Sequence, residues 1–154
     1  MVYYGSSGNI ETTGWQMAVS LAANFSLGVA VYPWLEIFYR GYTHISMALA
    51  GGLAMAFFAF LGFFHLPRTS KMLLSCLFVL ILELDIGLVC NMLLGLSVWD
   101  YTALPFSFCG QICPFYAALW FLLALPFGIL AERISVFFMR EGSPLSPSRC
   151  HPSR

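Results

Sequence analysis

The sequence predicts an all-α, polytopic membrane protein, a four-transmembrane-helix bundle with an interfacial or partly re-entrant outer loop. Hydrophobic residues make up 60% of the chain and charged residues only 9%, whereas soluble domains carry about 25% charged residues. A chain of 154 residues has too much surface for its volume to hide so many apolar side chains from water. The apolar residues also fall into long stretches, each sufficient for the helix of about 20 residues that crosses a bilayer.

The predicted helices follow one another along the chain with short connections between them. They span residues 15–38, 44–66, 72–96 and 114–139. Short connections make neighbouring helices antiparallel. Residues 15–139 therefore form the membrane domain, residues 1–14 an N-terminal tail, and residues 140–154 a C-terminal tail that is rich in Ser and Pro and predicted to be disordered.

The basic residues predict the orientation of the helices in the cell membrane. One side would hold Arg68, Lys71, Arg133, Arg140, Arg149 and Arg154, and the other side only Arg40. Since cytoplasmic segments carry the excess of Lys and Arg, both termini are expected in the cytoplasm and the connection over residues 97–113 outside.

Several function classes lack any support in the sequence. The formal net charge is +0, which offers no electrostatic basis for a nucleic-acid partner. The chain has no Walker motif for ATP, no zinc-binding His-Glu-x-x-His helix and no Gly-x-Ser-x-Gly elbow. We therefore expect no enzymatic activity, no cofactor and no metal site.

The third helix carries two carboxylates, Glu83 and Asp85, near the middle of the bilayer. An ionised carboxylate there costs at least ~2.5 kcal/mol, so such residues face the bundle interior, find a partner or stay protonated. Glu83 shares one helix face with Gly87, Asn91 and Gly95, because these residues are spaced by four. This face is either a substrate-binding surface or a polar packing surface. Asp85 lies about 200° around the helix from Glu83 and faces another helix, another protomer or a water-filled cleft.

Arg40, at the outer end of the first helix, has two candidate partners. Glu36 precedes it by four residues, the spacing of an ion pair along a helix. Alternatively, Arg40 reaches inward to a carboxylate of the third helix. The first alternative is an interfacial pair of small energetic weight, and the second makes Arg40 part of the candidate polar face.

The outer connection is too apolar for a solvated loop, which predicts a segment tucked into the bundle or lying at the membrane interface. Asp100 is placed to cap a turn within it. Cys109 and Cys113 are four residues apart and have no His beside them, so a disulfide or metal pair is the weaker interpretation.

This outer connection also carries a family resemblance. Trp99-Asp100-Tyr101, Pro105-Phe106, Gly110-Gln111-Ile112-Cys113 and Trp120 resemble the WDYS, PFN, G-[RQ]-IC and W signature of a bacterial membrane family. That family is called "putative ABC-transporter type IV", the CmpB-like permeases. Leu82-Glu83 with Gly87 is similar to its LE-x-x-x-G, and Arg40-Gly41 to its RG. Ser107 stands where the family usually has Asn, and Asp85 is an additional carboxylate.

The resemblance implies a permease-like membrane subunit that lacks its own ATPase and works with a separate ATP-binding subunit or as a homo-oligomer. It marks Arg40, Glu83, Asp100, Gly110 and Cys113 as family positions. The alternative function is a self-assembling pore, similar to a holin, or a membrane scaffold without a transport substrate.

Overall fold

The computed structural model describes residues 14–141, which form a bundle of four long helices. These are α1 (Gly14–Arg40), α2 (Ile45–Gly62), α3 (Arg68–Gly87) and α4 (Pro114–Glu141), and α3 continues into a wider π-helical turn over Leu88–Leu93. Four helices, with α3 and its π-helical turn taken as one, are long and apolar enough to cross a membrane. Within residues 14–141 no strand is present, and the prediction of an all-α membrane protein is confirmed. The predicted tails lie outside the described residues, apart from Gly14 and residues 140–141 of α4.

The helix bounds differ from the predicted ones mainly at the connection between α2 and α3. The amides of Phe63 and Phe64 donate to carbonyls three residues back, at 3.1 and 3.2 Å, and this tightened turn ends α2 before residue 66. α3 begins directly after Pro67, whose fixed φ suits the start of a helix. Arg68 and Lys71 therefore lie in the first turn of α3 and not in a loop.

The four helices form a ring. α1 packs against α2 and α4, and α3 packs against the same two helices, while α2 and α4 also touch. The centre of the core is built from small and apolar side chains of α2, α3 and α4, namely Ala54, Met55, Phe58, Ala59, Val79 and Ala131. The end of the bundle that carries the α2–α3 connection is the inner end, and the end that carries residues 94–113 is the outer end.

α1 buries its polar side and exposes its apolar side. Its buried residues are Gln16, Ser20, Asn24, Gly28 and Glu36, which recur at multiples of four residues and so lie along one face. In the inner half, the Ser20 hydroxyl donates to the Ser135 Oγ of α4 at 2.6 Å, and the Asn24 amide reaches the same atom at 3.3 Å. Polar groups turned inward and apolar groups turned outward are the arrangement that lipid requires.

Glycines let α1 and α2 cross at close range. A Cβ atom built on Gly28 would lie 2.2 Å from the carbonyl oxygen of Gly51, and one built on Gly51 would lie 2.8 Å from the carbonyl oxygen of Gly28. Backbones approach this closely in membrane helices only where side chains are absent or small. Gly28 and Gly51 therefore set the distance between the two helices.

A charged cluster joins α3 to α4 at the inner end. The Glu132 carboxylate of α4 accepts hydrogen bonds from Arg68 and from Lys71, both at 2.8 Å. These contacts place the start of α3 and the last turns of α4 at the same end of the bundle.

Candidate functional site

The candidate site lies inside the outer half of the bundle, around Glu83 of α3. Glu83 is only 6% exposed. Its Oε1 accepts a hydrogen bond of 2.8 Å from the indole Nε1 of Trp120 on α4. Its Oε2 is buried and, among the residues that the structure describes, has no hydrogen-bond partner. Among the described residues Asn24 Oδ1 is also buried without a partner, but of the two side chains only Glu83 can carry a charge, and a buried charge without a partner is costly to a fold.

Two adjoining cavities border Glu83. The apolar cavity has a volume of about 110 Å³ and extends toward the middle of the bundle. Its apolar lining includes Leu27, Met55, Phe58, Val79, Leu82 and Leu130. The aromatic cavity has a volume of about 190 Å³ and extends toward the outer end. Its aromatic lining consists of Tyr32, Tyr39, Trp99, Tyr101, Tyr116, Trp120 and Phe127. Glu83, Trp120 and Tyr32 border both cavities.

The aromatic rings of this site are stacked in pairs. Tyr32 of α1 stacks on Trp120 of α4, with ring centroids 5.9 Å apart. Tyr101 stacks on Tyr116 with centroids 4.5 Å apart. Such pairs hold the rings in fixed positions, so the wall around Glu83 is preformed.

Arg40 lies at the outer rim of the aromatic cavity, and its side chain binds groups at the same end of the bundle. Its guanidinium forms an ion pair with Glu36 and donates to the carbonyl oxygen of Val98 at 3.2 Å. The Thr43 hydroxyl donates to the second oxygen of Glu36 at 2.6 Å. Within residues 14–141, Arg40 makes no ion pair or hydrogen bond with Glu83. The ion pair along α1 is therefore the alternative that the structure contains.

Asn91 follows Glu83 on the same side of α3 and its π-helical turn, but its side chain forms hydrogen bonds with the outer connection. Its amide nitrogen donates to the Trp99 carbonyl at 2.9 Å and to Gln111 Oε1 at 2.7 Å, and its oxygen accepts the Val98 amide at 2.6 Å. Gly87 leaves room for the Gln111 side chain, since a Cβ there would lie 2.2 Å from Gln111 Oε1. Asn91 thus fastens the connection to α3, and it borders neither cavity.

The family-motif residues of the outer connection divide into a buried set and an exposed set. Trp99, Gly110 and Cys113 are buried, whereas Pro105 and Phe106 are exposed. The Trp99 indole donates to the Gln111 carbonyl at 3.1 Å. Gly110 has a positive φ of 68° and faces Thr102 so closely that a Cβ would lie 2.7 Å from its methyl group. The buried set closes the outer end of the bundle.

Asp100 and Tyr101 show how this connection is held. The Thr102 amide donates to Asp100 Oδ1 at 2.8 Å, which caps the turn as expected and lowers the pKa of the exposed carboxyl group. Burial, and secondarily the charge of Glu83, raise the pKa of Tyr101, so its phenol stays protonated. Cys109 is exposed and Cys113 is buried, and both are free thiols.

Asp85 lies away from the candidate site. It is exposed on the outward side of α3, where the residues one turn before and one turn after it, Ile81 and Val89, are 57% and 48% exposed. The structure therefore separates the two carboxylates of α3, and Asp85 belongs to the surface that lipid or another chain would cover.

Tyr32 of α1 and Trp120 of α4 complete the site, although the sequence patterns do not assign them to it. Tyr32 continues the four-residue spacing from Asn24 and Gly28 to Glu36, and this spacing indicates that Tyr32 lies on the buried face of α1. The sequence marks Trp120 as a motif position, but its hydrogen bond to Glu83 depends on the rotation of α4, which no local pattern reveals.

The chemistry available to the site follows from the side chains that border it. Among residues 14–141, no three His, Cys, Asp or Glu side chains are placed to hold a metal ion. One carboxylate with a free oxygen and several aromatic faces can hold a group that is cationic or donates hydrogen bonds.

Comparison with known proteins agrees with this architecture. The family model described as "Putative ABC-transporter type IV" matches residues 9–142, which include all four helices and the outer connection. No curated protein matches the chain, and no solved structure does. Because the match covers the whole helical bundle, this multi-pass membrane protein belongs to the "putative ABC-transporter type IV" family.

Proposed function

We propose that this chain is a permease-like subunit of a membrane transporter and that a separate chain hydrolyses ATP for it. The observation that carries the proposal is the buried Glu83, which borders two cavities and keeps one oxygen without a hydrogen bond among the described residues. Most buried polar groups in folded proteins have a hydrogen-bond partner. Among the described residues, the other buried side-chain atom without one is the neutral Asn24 Oδ1, which borders neither cavity. A binding subunit can leave a group such as Glu83 Oε2 free for its substrate.

The assignment of ATP hydrolysis to a separate chain follows from the sequence. The chain has no Walker motif, so energy from ATP would have to come from a partner. Four helices also enclose only a small cavity, so a complete substrate path would require a second subunit or a second copy. The proposal assigns no catalytic step to this chain.

The proposed orientation places both termini and the inner end in the cytoplasm. The contacts of Glu132 with Arg68 and Lys71 support a common inner side for these charges, which the positive-inside rule assigns to the cytoplasm. On the outer side, Arg40 is paired with Glu36.

Labelling of cysteines in intact cells tests this orientation. A variant that keeps only the exposed Cys109 should react with a membrane-impermeant maleimide added to the cells. The matched control moves the thiol to the inner end by Thr69→Cys in a background without other cysteines, and it should react only after permeabilisation. The reverse pattern would overturn the orientation.

Purification from the native host in a mild detergent, followed by mass spectrometry, tests the transport function. The proposal expects an ATPase in stoichiometric amount, whose activity in liposomes rises when this chain is present. A variant of the ATPase that cannot hydrolyse ATP should remain bound and lose this stimulation. A homo-oligomer without any ATPase would contradict the proposal.

Asp85 favours a second candidate function, a self-assembling pore or scaffold. A carboxylate exposed among apolar residues of a membrane helix is costly in lipid, and an oligomer interface would cover it. A pore predicts ion leakage upon expression and an oligomer in detergent, and Asp85→Asn should abolish both. A monomer that causes no leakage would exclude the pore.

A further inference from the structure

We propose that the cleft between the outer halves of α1 and α4 binds a lipophilic cation, which enters from the membrane and places its charge beside Glu83. The inference deepens the proposed function, on which it rests, by naming the chemical class of the substrate. Four features of the structure carry it: the charge of the lining, the aromatic walls, the apolar cavity and the position of the opening.

The charge of the lining favours a cation. The charged residues that border the two cavities are Glu36, Arg40 and Glu83. Glu36 and Arg40 neutralise each other as an ion pair. Glu83 receives only the neutral indole N–H of Trp120, and its Oε2 has no hydrogen bond within the described part of the chain. The lining as a whole thus has one carboxyl group without a basic partner, and a cationic ligand would supply the counter-charge of Glu83 when that group is ionised.

The aromatic rings around Glu83 also favour a cationic ligand. Ring faces attract cations, most strongly the face of Trp, and Tyr also contributes. The stacked pairs Tyr32–Trp120 and Tyr101–Tyr116 both border the aromatic cavity. A large cation with diffuse charge gains from these faces, whereas a small hydrated ion would lose its water without enough oxygen ligands to replace it.

The apolar cavity explains why the cation should be lipophilic. This cavity continues from Glu83 into the middle of the bundle, and aliphatic side chains, Met55 and Phe58 line it. Its volume of about 110 Å³ can hold an apolar substituent of a ligand whose charged group remains beside Glu83.

The opening of the cleft faces the lipid. Among the lining residues, Val31 and Leu35 of α1 are 37% and 46% exposed, and Leu119 and Leu130 of α4 are 40% and 41% exposed. In the inner half the same two helices are held together by Ser20, Asn24 and Ser135. The cleft is therefore closed at the inner end and opens sideways between α1 and α4, where a molecule dissolved in the bilayer would enter.

Equilibrium binding to the purified full-length protein in nanodiscs tests the inference without any partner. The probe is tetraphenylphosphonium, and tetraphenylborate, an anion of similar size and shape, measures the contribution of apolar contact alone. We expect saturable binding of the cation, detected by quenching of Trp fluorescence and by dialysis, and no saturable binding of the anion. Equal binding of the two ions, or binding no greater than to empty nanodiscs, would overturn the inference.

Two variants that remove one carboxylate each from α3 locate the site. Glu83→Gln should weaken cation binding by about tenfold or more, equivalent to about 1.4 kcal/mol. Asp85→Asn should leave it unchanged, because Asp85 is exposed outside the cleft. Equal affinities in wild type and Glu83→Gln would contradict the assignment.

A third variant keeps the test decisive if Glu83→Gln does not fold. Leu35→Trp should fill the opening while Glu83 remains intact, and it should slow cation binding or weaken it. Unchanged binding in this variant would exclude access between α1 and α4. These binding measurements need no ATPase. A failure to bind the cation would therefore overturn this inference without contradicting the transport function. Conversely, the absence of an ATPase would contradict the transport function without changing the binding result.

Discussion

Trp120 and Glu83 join α4 to α3 through a hydrogen bond of 2.8 Å between the indole Nε1 and one carboxylate oxygen. The bond lies where the apolar and the aromatic cavities meet, since both residues border both cavities. It also fixes the Glu83 side chain with its second oxygen free. The same contact therefore contributes to helix packing and to the geometry of the candidate site.

Removing the indole donor should destabilise the bundle. We expect Trp120→Phe to lower the free energy of unfolding in detergent by about 1 to 3 kcal/mol, the cost of leaving a buried polar group without its partner. Trp34→Phe is the control, since Trp34 is 73% exposed, and it should change stability little.

A double-mutant cycle separates the hydrogen bond from the loss of ring area. Glu83→Leu, which removes both carboxylate oxygens, and Trp120→Phe should show a coupling energy of about 0.5 to 3 kcal/mol, because residues in direct contact are not independent. Additive effects would show that the contact has no energetic weight of its own.

The close crossing of α1 and α2 gives a second prediction. Gly28→Ala should lower the free energy of unfolding by about 1 to 3 kcal/mol or more, because its methyl group would meet the Gly51 carbonyl and force the helices apart. Gly128→Ala in α4 is the matched control. A Cβ there meets nothing within 4 Å, and its better helix propensity should leave stability unchanged or raise it by up to about 1 kcal/mol. Equal effects in the two variants would be evidence against the close crossing.

The number of helices and the inward side of α3 were predictable because they rest on local patterns. Length and hydropathy mark each membrane span, and the spacing of Glu83, Gly87 and Asn91 places them on one face. The partner of each side chain was not predictable, since it depends on how neighbouring helices rotate. Asn91 holds the outer connection instead of facing a cavity, and Trp120 turns toward Glu83.

Asn91 should control how firmly the outer connection is closed. In a variant that keeps only Cys113, which is 4% exposed, Asn91→Ala should speed maleimide labelling of this thiol by about tenfold, as expected for a loss of about 1.4 kcal/mol in the closed state. Met92→Ala is the control, because Met92 is the next residue and is 61% exposed. An unchanged labelling rate in Asn91→Ala would mean that the three hydrogen bonds of Asn91 do not hold the connection.

Asp100 should give the protein a small dependence of stability on pH. The hydrogen bond from the Thr102 amide lowers the pKa of Asp100 in the folded protein relative to the unfolded chain. The contribution of the ionised carboxyl group is therefore present above the unfolded pKa, whose usual value is 3.8, and is lost as pH falls through the lower folded value. Asp100→Asn should be less stable than wild type at pH 7, and the difference in melting temperature should shrink toward pH 3. A difference that is independent of pH would assign the effect to the shape of the turn.

The inner-end cluster should respond to salt. Glu132 contacts Arg68 and Lys71 at 2.8 Å each, and the Arg68 side chain is 49% exposed, so that mobile ions reach the cluster. Glu132→Gln should lower the free energy of unfolding by about 0.5 to 1.5 kcal/mol at low ionic strength, since two partly exposed ion pairs are lost. The loss should become smaller in 1 M salt, where the screening length is about 3 Å. Arg133→Gln is the control at an exposed neighbouring position. If the loss for Glu132→Gln were the same at both salt concentrations, its cause would be packing or neutral hydrogen bonding between α3 and α4, and not charge.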